Sequence, residues 1–335
     1  MTNKKITFIG AGSWGTALAR VVSDNGYSAL IYDIDQTIID EINFHHTNEK
    51  KLPGSVLGES IKATTNIKTA LDFSDIIVLV VPTKILRNVL YDINNNLNSA
   101  KLFVNASKGL EPDTFLRVSE VVTSIINNEL IRGFVALTGP SHAEEVIKQM
   151  LTLVCSASKN ISDAKLIQKI FSNTTYFRVY TSTDLVGAEL GGALKNVIAL
   201  ASGILDGLGY GDNARAALVT RGLGEIRKLA LMLGAEEGTL YGLMGLGDLV
   251  VTCYSHHSRN YQAGKKIGSG LDLKKTLSEM TMVVEGARTA IAAYQVSKKY
   301  HLDTPIITAI YNIVYNQEEP RQVIKSLMER KLKSE

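Results

Sequence analysis

Cysteine is scarce in this chain: 335 residues include only Cys155 and Cys253, far apart and without a Cys-x-x-Cys pair. That excludes a disulfide framework and leaves no zinc motif, so a reducing cytosol is the simplest compartment. An excess of charge of one sign is also missing, with 36 Lys and Arg against 33 Asp and Glu and a net charge of +3. No basic run stands out beyond the tail Arg330-Lys331-Leu332-Lys333, which reads as a solvated helix end, so no nucleic-acid partner is indicated. Long apolar runs are lacking as well: none reaches the span of a membrane helix, and the N-terminus passes straight into a strand pattern. The sequence therefore predicts neither export nor insertion. His256-His257 lie close to Cys253, but adjacent histidines point different ways and no carboxylate completes a set, so no metal is expected.

At 45% hydrophobic and 21% charged residues, the chain is ample to bury two cores, and nothing suggests disorder. Apolar, β-branched runs recur at 76–81, 102–104, 134–137 and 151–155 with helical stretches between several of them. This is the signature of a parallel α/β sheet. After about Tyr180 the texture changes, and 184–203, 213–233 and 285–299 carry helical periodicity with few strand signals. The expected architecture is α/β: an N-terminal doubly wound, mainly parallel sheet of the Rossmann type over 1–183, then an all-helical C-terminal domain over 184–335.

The first strand, at 5–9, runs into Gly10-Ala11-Gly12-Ser13-Trp14-Gly15 and then a helix expected over 16–25. A G-x-G-x-x-G between strand and helix is a dinucleotide fingerprint. Gly10 permits the tight turn, Gly12 clears room for a pyrophosphate, Gly15 allows close packing, and the helix N-terminus offers free N–H donors. Asp33 ends the second strand about twenty residues further on, the distance at which a carboxylate takes the ribose hydroxyls. It repels a 2′-phosphate, and Ile34 supplies no cation to neutralise one, which favours NAD over NADP. The other reading of Asp33 is a cap for the helix that starts near Asp35.

In the second half, Gly187-Ala188-Glu189-Leu190-Gly191-Gly192-Ala193-Leu194-Lys195-Asn196 puts a lysine on an otherwise apolar, glycine-rich helix. Either Lys195 snorkels to water along that face, or it is buried and has a partner or a task. Gly191-Gly192 let another backbone or a ligand come close. Three loops stand out as binding elements: 105–109 and 138–143 at strand ends, and 245–260, which combines a carboxylate, hydroxyls, a guanidinium and amides suited to a phosphate.

Together the strings GAGSWGTALA, ASKGLE, GPSHAEEV, GAELGGALKNVIALASGILDGLGYGDNARAALVTRGLGE, GLGDLVVTCYSHHSRNY and VVEGARTA resemble the bacterial NAD(P)-dependent sn-glycerol-3-phosphate dehydrogenases over nearly the whole chain. The resemblance implies interconversion of sn-glycerol 3-phosphate and dihydroxyacetone phosphate, with Lys195 as general base or acid and Asp248 orienting it. It implies that Lys108, Gly139, Ser141, Asn196, Thr252, Ser258, Arg259 and Asn260 contact the substrate alongside Lys195 and Asp248. It assigns Ser13, Trp14, Lys108, Ala143, Arg259, Val283 and Glu285 to the cofactor, joining Gly10, Gly12, Gly15 and Asp33. Hydride leaves C2 only as the C2 hydroxyl loses its proton, which is why a base is wanted there. A lysine with an ordinary pKa of about 10.4 is a poor one, so its surroundings must favour the neutral amine.

Many bacterial members carry a basic residue where this chain has Asp33-Ile34, so NADH is expected to be the better cofactor, with NADPH possible. No metal and no nucleic acid are expected, and a homodimer in the cytoplasm supplying phospholipid precursors is what the family suggests. Two other readings remain open. One is a different two-domain reductase of 2-keto or 3-hydroxy acids; the other is a nicotinamide-binding regulatory protein without activity.

Overall fold

The computed structural model describes residues 4–111, 114–271, 275–276, 284–332 and 334. They divide into two compact units, Met1–Glu189 and Leu190–Glu335. The first is built on eight strands: β1 (Lys5–Ile9), β2 (Ser28–Tyr32), β3 (Ile61–Thr64), β4 (Ile76–Leu79), β5 (Lys101–Asn105), β6 (Ile131–Thr138), β7 (Thr152–Ala157) and β8 (Phe177–Ser182). Their order is β3-β2-β1-β4-β5-β6-β7-β8. Neighbours run parallel except β6 and β7, which pair antiparallel, so the mainly parallel, doubly wound sheet expected from the sequence is present.

Strands buried on both faces need apolar residues at consecutive positions, and that is what these segments supply. Alternate residues then go to opposite layers. Ile77, Leu79 and Phe103 pack with Leu86, Leu90 and Val121 on one face, while Val78, Leu102 and Val104 pack with Ala17, Leu18 and Val21 on the other. Two strands escaped the sequence reading for the same reason in reverse. β3 is only Ile-Lys-Ala-Thr, and β8 is an edge strand that alternates buried and exposed residues, so neither forms an apolar run.

Register decides where function can sit. Ile9 pairs with Tyr32 and with Leu79, Leu79 with Asn105, and Asn105 with Ala136. The loops that follow β1, β2, β4, β5 and β6 therefore leave from one edge of the sheet, where doubly wound sheets bind ligands.

The second unit is helical, with no strand among its described residues. Its central helix, Leu185–Gly207, begins in the first unit and corrects one expectation: it is long and apolar enough to cross a membrane, yet 94% of its apolar 18-residue stretch is buried inside the structure, which makes it a core helix. It packs on helix Arg259–Gly268 through glycines on both sides. A methyl group on Gly203 would overlap the Tyr261 carbonyl, and one on Gly264 would overlap the Leu200 carbonyl. Only glycine allows backbones this close.

Helix Asp212–Met232 supplies a cap to another helix. The N-cap residue of helix Pro305–Tyr315, Thr304, makes no capping bond with its side chain. Instead the Glu225 carboxylate accepts the N–H groups of Ile306 (2.8 Å) and Ile307 (3.0 Å). Glu225 is 4% exposed, and burial pushes its carboxyl up to about 7 against the pull of those two donors.

A carboxyl raised by folding is best tolerated protonated, so its contribution is greatest below its ordinary value near 4.5 and is lost as pH rises to about 7. From pH 5 to 7.5 the wild-type melting temperature is expected to fall relative to that of Glu225→Gln, by the equivalent of about 3 kcal/mol at most. Parallel pH profiles for the two proteins would show that Glu225 stays charged throughout.

Candidate active site

The first unit gathers its expected residues at the sheet edge. Gly10 has φ +118°, and a methyl there would stand 2.8 Å from the Val80 carbonyl oxygen. Gly15 packs directly on the Gly10 carbonyl, whereas nothing lies within 4 Å of the side-chain position of Gly12. The helix starts earlier than the periodicity suggested, at Ser13, with Gly12 as its N-cap. The Ser13 hydroxyl donates to the Lys51 carbonyl (2.9 Å). Trp14 is half-buried against the sheet core, with its indole N–H buried and unpartnered among the described residues.

Asp33 does not cap the following helix. Asp35 does, accepting the Thr37 N–H at 3.1 Å, and its carboxyl drops to about 2 through the bonds from Thr37 and Lys50. Asp33 instead accepts the Ala11 N–H at 2.7 Å and the Asp35 N–H at 3.1 Å, one on each oxygen. A carboxylate offers about four acceptor positions, so two remain for a diol.

Ala11 is held from its other side by Asn48, whose amide donates to the Ala11 carbonyl at 3.0 Å and to the Thr16 hydroxyl at 2.9 Å. Asn48 is 1% exposed, and sequence reasoning missed it because Thr47-Asn48-Glu49-Lys50 looks like an ordinary polar loop.

The loops after β5 and β6 meet on one atom. The Gly139 carbonyl accepts from Lys108 Nζ at 3.0 Å and from the Ser141 hydroxyl at 2.9 Å. Ala143 is buried at the start of helix Ala143–Val146. The Lys108 loop is anchored by a second pair that was also missed, Arg87 and Glu111, joined by two bonds of 2.7 Å. Burial works to raise the Glu111 carboxyl, but hydrogen bonds from Arg87 and Thr114 hold it below its ordinary value.

In the second unit Lys195 is 4% exposed and does not snorkel. Its ammonium bonds the Asp248 carboxylate, itself fully buried, and donates to the Thr252 hydroxyl at 2.8 Å. Thr252 in turn donates to the Asp248 carbonyl at 2.6 Å. Charges this deep persist only when paired and hydrogen-bonded.

The approach that makes the pair possible is a glycine contact one turn earlier. Gly191 lies against the Met244 carbonyl, and Lys195 and Asp248 follow each of those residues by four positions. The segment Leu243–Gly247 is a π-helical turn that leads directly into helix Asp248–Tyr254. π turns are uncommon and recur at functional sites. Cys253 beside Thr252 is completely buried, its thiol pushed up to about 12.

Asn196 and Thr252 are buried, as are Ser258 and Asn260, while Arg259 between the last two is exposed. Ser258 caps helix Arg259–Gly268 by accepting the Tyr261 N–H. The side-chain oxygen Oδ1 of Asn260 accepts the Gly286 N–H at 2.7 Å, which ties the start of this helix to the helix that starts at Glu285. Val283 lies outside the described residues. Among the described residues no group of three or more His, Cys, Asp or Glu could hold a metal ion.

A glycine loop between strand and helix, a carboxylate at the end of β2 and a helical unit with a buried lysine–aspartate pair define a two-domain nicotinamide-dependent dehydrogenase. Family models identify which one. Residues 5–164 match the NAD-dependent glycerol-3-phosphate dehydrogenase N-terminus, and 184–325 match the C-terminus of the same family. The chain belongs to the NAD-dependent glycerol-3-phosphate dehydrogenase family.

It is 49% identical over 327 residues to the glycerol-3-phosphate dehydrogenase [NAD(P)+] of Bacillus licheniformis, covering 97% of this chain and 94% of that one. The Staphylococcus haemolyticus enzyme of the same name is 48% identical, covering 99% of each. The crystal structure of glycerol-3-phosphate dehydrogenase from Coxiella burnetii superposes with a TM-score of 0.90 at 34% identity, covering 97% of this chain and 99% of that one.

A side chain at Gly191 must displace the Met244 backbone, so Gly191→Ala is expected to lower stability by about 1–3 kcal/mol. The melting temperature should drop, and turnover should fall with it as Asp248 moves off Lys195. Unchanged values of both would show that the approach has slack.

Proposed function

We propose that the chain interconverts sn-glycerol 3-phosphate and dihydroxyacetone phosphate with a nicotinamide dinucleotide, with Lys195 moving the proton at the C2 oxygen. The observation that carries this reading is the buried Lys195–Asp248–Thr252 constellation. A buried ammonium fixed by a carboxylate and a hydroxyl is a poor device for stability and a good one for chemistry.

The first unit fits a dinucleotide. The space beside Gly12 is open, the helix that starts at Ser13 presents first-turn N–H groups with no carbonyl before them, and Asp33 retains acceptor positions for the ribose. The bound nicotinamide supplies the hydride acceptor, or the donor in the reverse direction. Gly10, Gly12, Ser13, Trp14, Gly15, Asp33 and Ala143 would hold the dinucleotide.

Lys195 enters oxidation as the neutral amine and takes the proton of the C2 hydroxyl, becoming the ammonium that Asp248 and Thr252 hold; as that ammonium it returns the proton to the ketone oxygen during reduction, one residue serving both directions. Asp248 and Thr252 fix the direction in which its Nζ points. For the phosphate, the exposed Arg259 guanidinium supplies charge and a planar pair of donors, and the Ser258 hydroxyl adds another. Asn260 has its side-chain oxygen occupied by Gly286, which leaves its side-chain nitrogen as the end that donates. The assignment of Lys108, Gly139, Ser141 and Asn196 to the substrate, and of Lys108, Arg259 and Glu285 also to the cofactor, belongs to the same proposal. So do residues 1–183 as the dinucleotide-binding part and 184–335 as the substrate-binding part, a homodimer, a cytoplasmic location and supply of glycerol 3-phosphate for phospholipid synthesis.

Lys195→Ala is expected to lose about 10³-fold or more in kcat while its Kd for NADH, followed by fluorescence titration, stays within about threefold. Lys195→Arg should fail as well, since a guanidinium does not give up its proton near neutral pH. Near-normal turnover in the alanine variant would remove Lys195 from the reaction.

The NADH-to-NADPH ratio of kcat/KM with dihydroxyacetone phosphate should exceed unity, because the bond to Ala11 keeps the Asp33 carboxylate from turning away from a 2′-phosphate. A ratio of one or less would overturn the role of Asp33. Unphosphorylated dihydroxyacetone should turn over poorly with either cofactor.

A further inference from the structure

Arg215 belongs to the GDNARAAL string and has no part in the chemistry assigned above. It lies in the first turn of helix Asp212–Met232 with 13% of its side chain exposed. Its guanidinium carbon stands 4.6 Å from the centroid of the Tyr254 ring and 5.5 Å from that of Tyr261. Tyr254 is the last residue of helix Asp248–Tyr254, and Tyr261 is in the first turn of helix Arg259–Gly268. One cation thus rests against rings on both sides of the short connection 255–258, which ends at the N-cap Ser258 and leads into the first turn that carries Arg259 and Asn260.

The second ring is itself fixed. Tyr261 is 2% exposed and donates its hydroxyl to Asp206 at 2.7 Å, and Asp206 also pairs with Lys265 at 2.8 Å. Those two partners hold the Asp206 carboxyl below its ordinary range, while burial and the Asp206 carboxylate push the Tyr261 phenol up to about 12. The ionic contact of Arg215, by contrast, is slight: 3.6 Å to Asp212, whose side chain is 93% exposed. Exposed pairs of that kind contribute little. Its Nε is buried and has no hydrogen-bond partner among the described residues. Stacking on the two tyrosines is therefore the contact that accounts for a guanidinium here.

We propose that Arg215 is a positioning residue for the substrate phosphate: stacked on Tyr254 and Tyr261, it sets the last residue of one helix against the first turn of the next, and so fixes the N-cap Ser258 and the first-turn residues Arg259 and Asn260. This rests on the reading that those three residues take the phosphate. Arg215 touches neither reacting carbon nor proton, so its loss is felt in substrate binding rather than in the chemical step.

The test compares KM for dihydroxyacetone phosphate, KM for NADH and kcat in Arg215→Gln, Arg215→Lys, Tyr254→Leu and Arg259→Ala, with hydrogen–deuterium exchange over 255–260. Arg215→Gln is expected to raise the substrate KM roughly tenfold, the scale of a cation–π contact. Its KM for NADH should stay within about twofold and its kcat within about threefold, with faster exchange in the loop. Arg215→Lys should recover part of the loss, because an ammonium still sits on a ring face but lacks the planar stack. Tyr254→Leu should behave like Arg215→Gln, and it decides the matter if that variant does not fold.

A substrate KM left unchanged by Arg215→Gln or Tyr254→Leu while Arg259→Ala raises it would overturn the positioning role alone. So would an equal loss of kcat and NADH binding. An unchanged KM in Arg259→Ala would overturn the phosphate assignment, and the role of Arg215 with it.

Discussion

A lysine and an aspartate held together out of water set the terms for the whole helical unit. Taking both charges out of solvent costs several kcal/mol per ion unless geometry and further hydrogen bonds make up the difference. Asp248 is fully buried and Lys195 nearly so, and the surrounding features answer that demand. Thr252 satisfies a second donor of the ammonium. The π turn over Leu243–Gly247 sets the entry to the aspartate's helix, and Gly191 lets two backbones close to contact just before the charges meet. Each of these is unfavourable or neutral by itself. They are coherent only as support for one buried pair.

The nucleotide unit follows the same logic with neutral groups. Asp33 and Asn48 come from different segments and grip the N–H and the carbonyl of the same residue, Ala11. The glycine loop owes its freedom of conformation to its glycines and its fixed shape to these two side chains. Lys108 is placed in a comparable way, its loop anchored by Arg87 and Glu111 and its amine by the Gly139 carbonyl. In this unit, then, two loops at the sheet edge are held by side chains that come from distant segments of the chain.

This division explains what could be read from the sequence. Strand–glycine–helix order, the position of Asp33 and the odd placement of Lys195 on an apolar helix are local patterns, and each was legible. The strands β3 and β8 were not, being too short or too exposed to leave an apolar run. Nor were Asn48, Arg87, Glu111 and Arg215, each of which has a partner 24 or more residues away in the chain. A polar residue in a loop looks the same whether it is solvated or pinned beneath a fold. The length and hydropathy of Leu185–Gly207 fit a membrane span as well as a core helix, and only burial tells them apart.

The two cysteines have a practical consequence. Cys155 is 5% exposed and Cys253 is fully buried, and burial raises both thiols to about 12. Thiolate is the reactive form, so neither residue offers much of it near neutral pH. The chain is therefore a quiet background for thiol chemistry. A single cysteine introduced on the surface of either unit can carry a fluorophore or spin label without first removing the native pair, and two such labels, one per unit, can report distances between them in the otherwise unaltered enzyme.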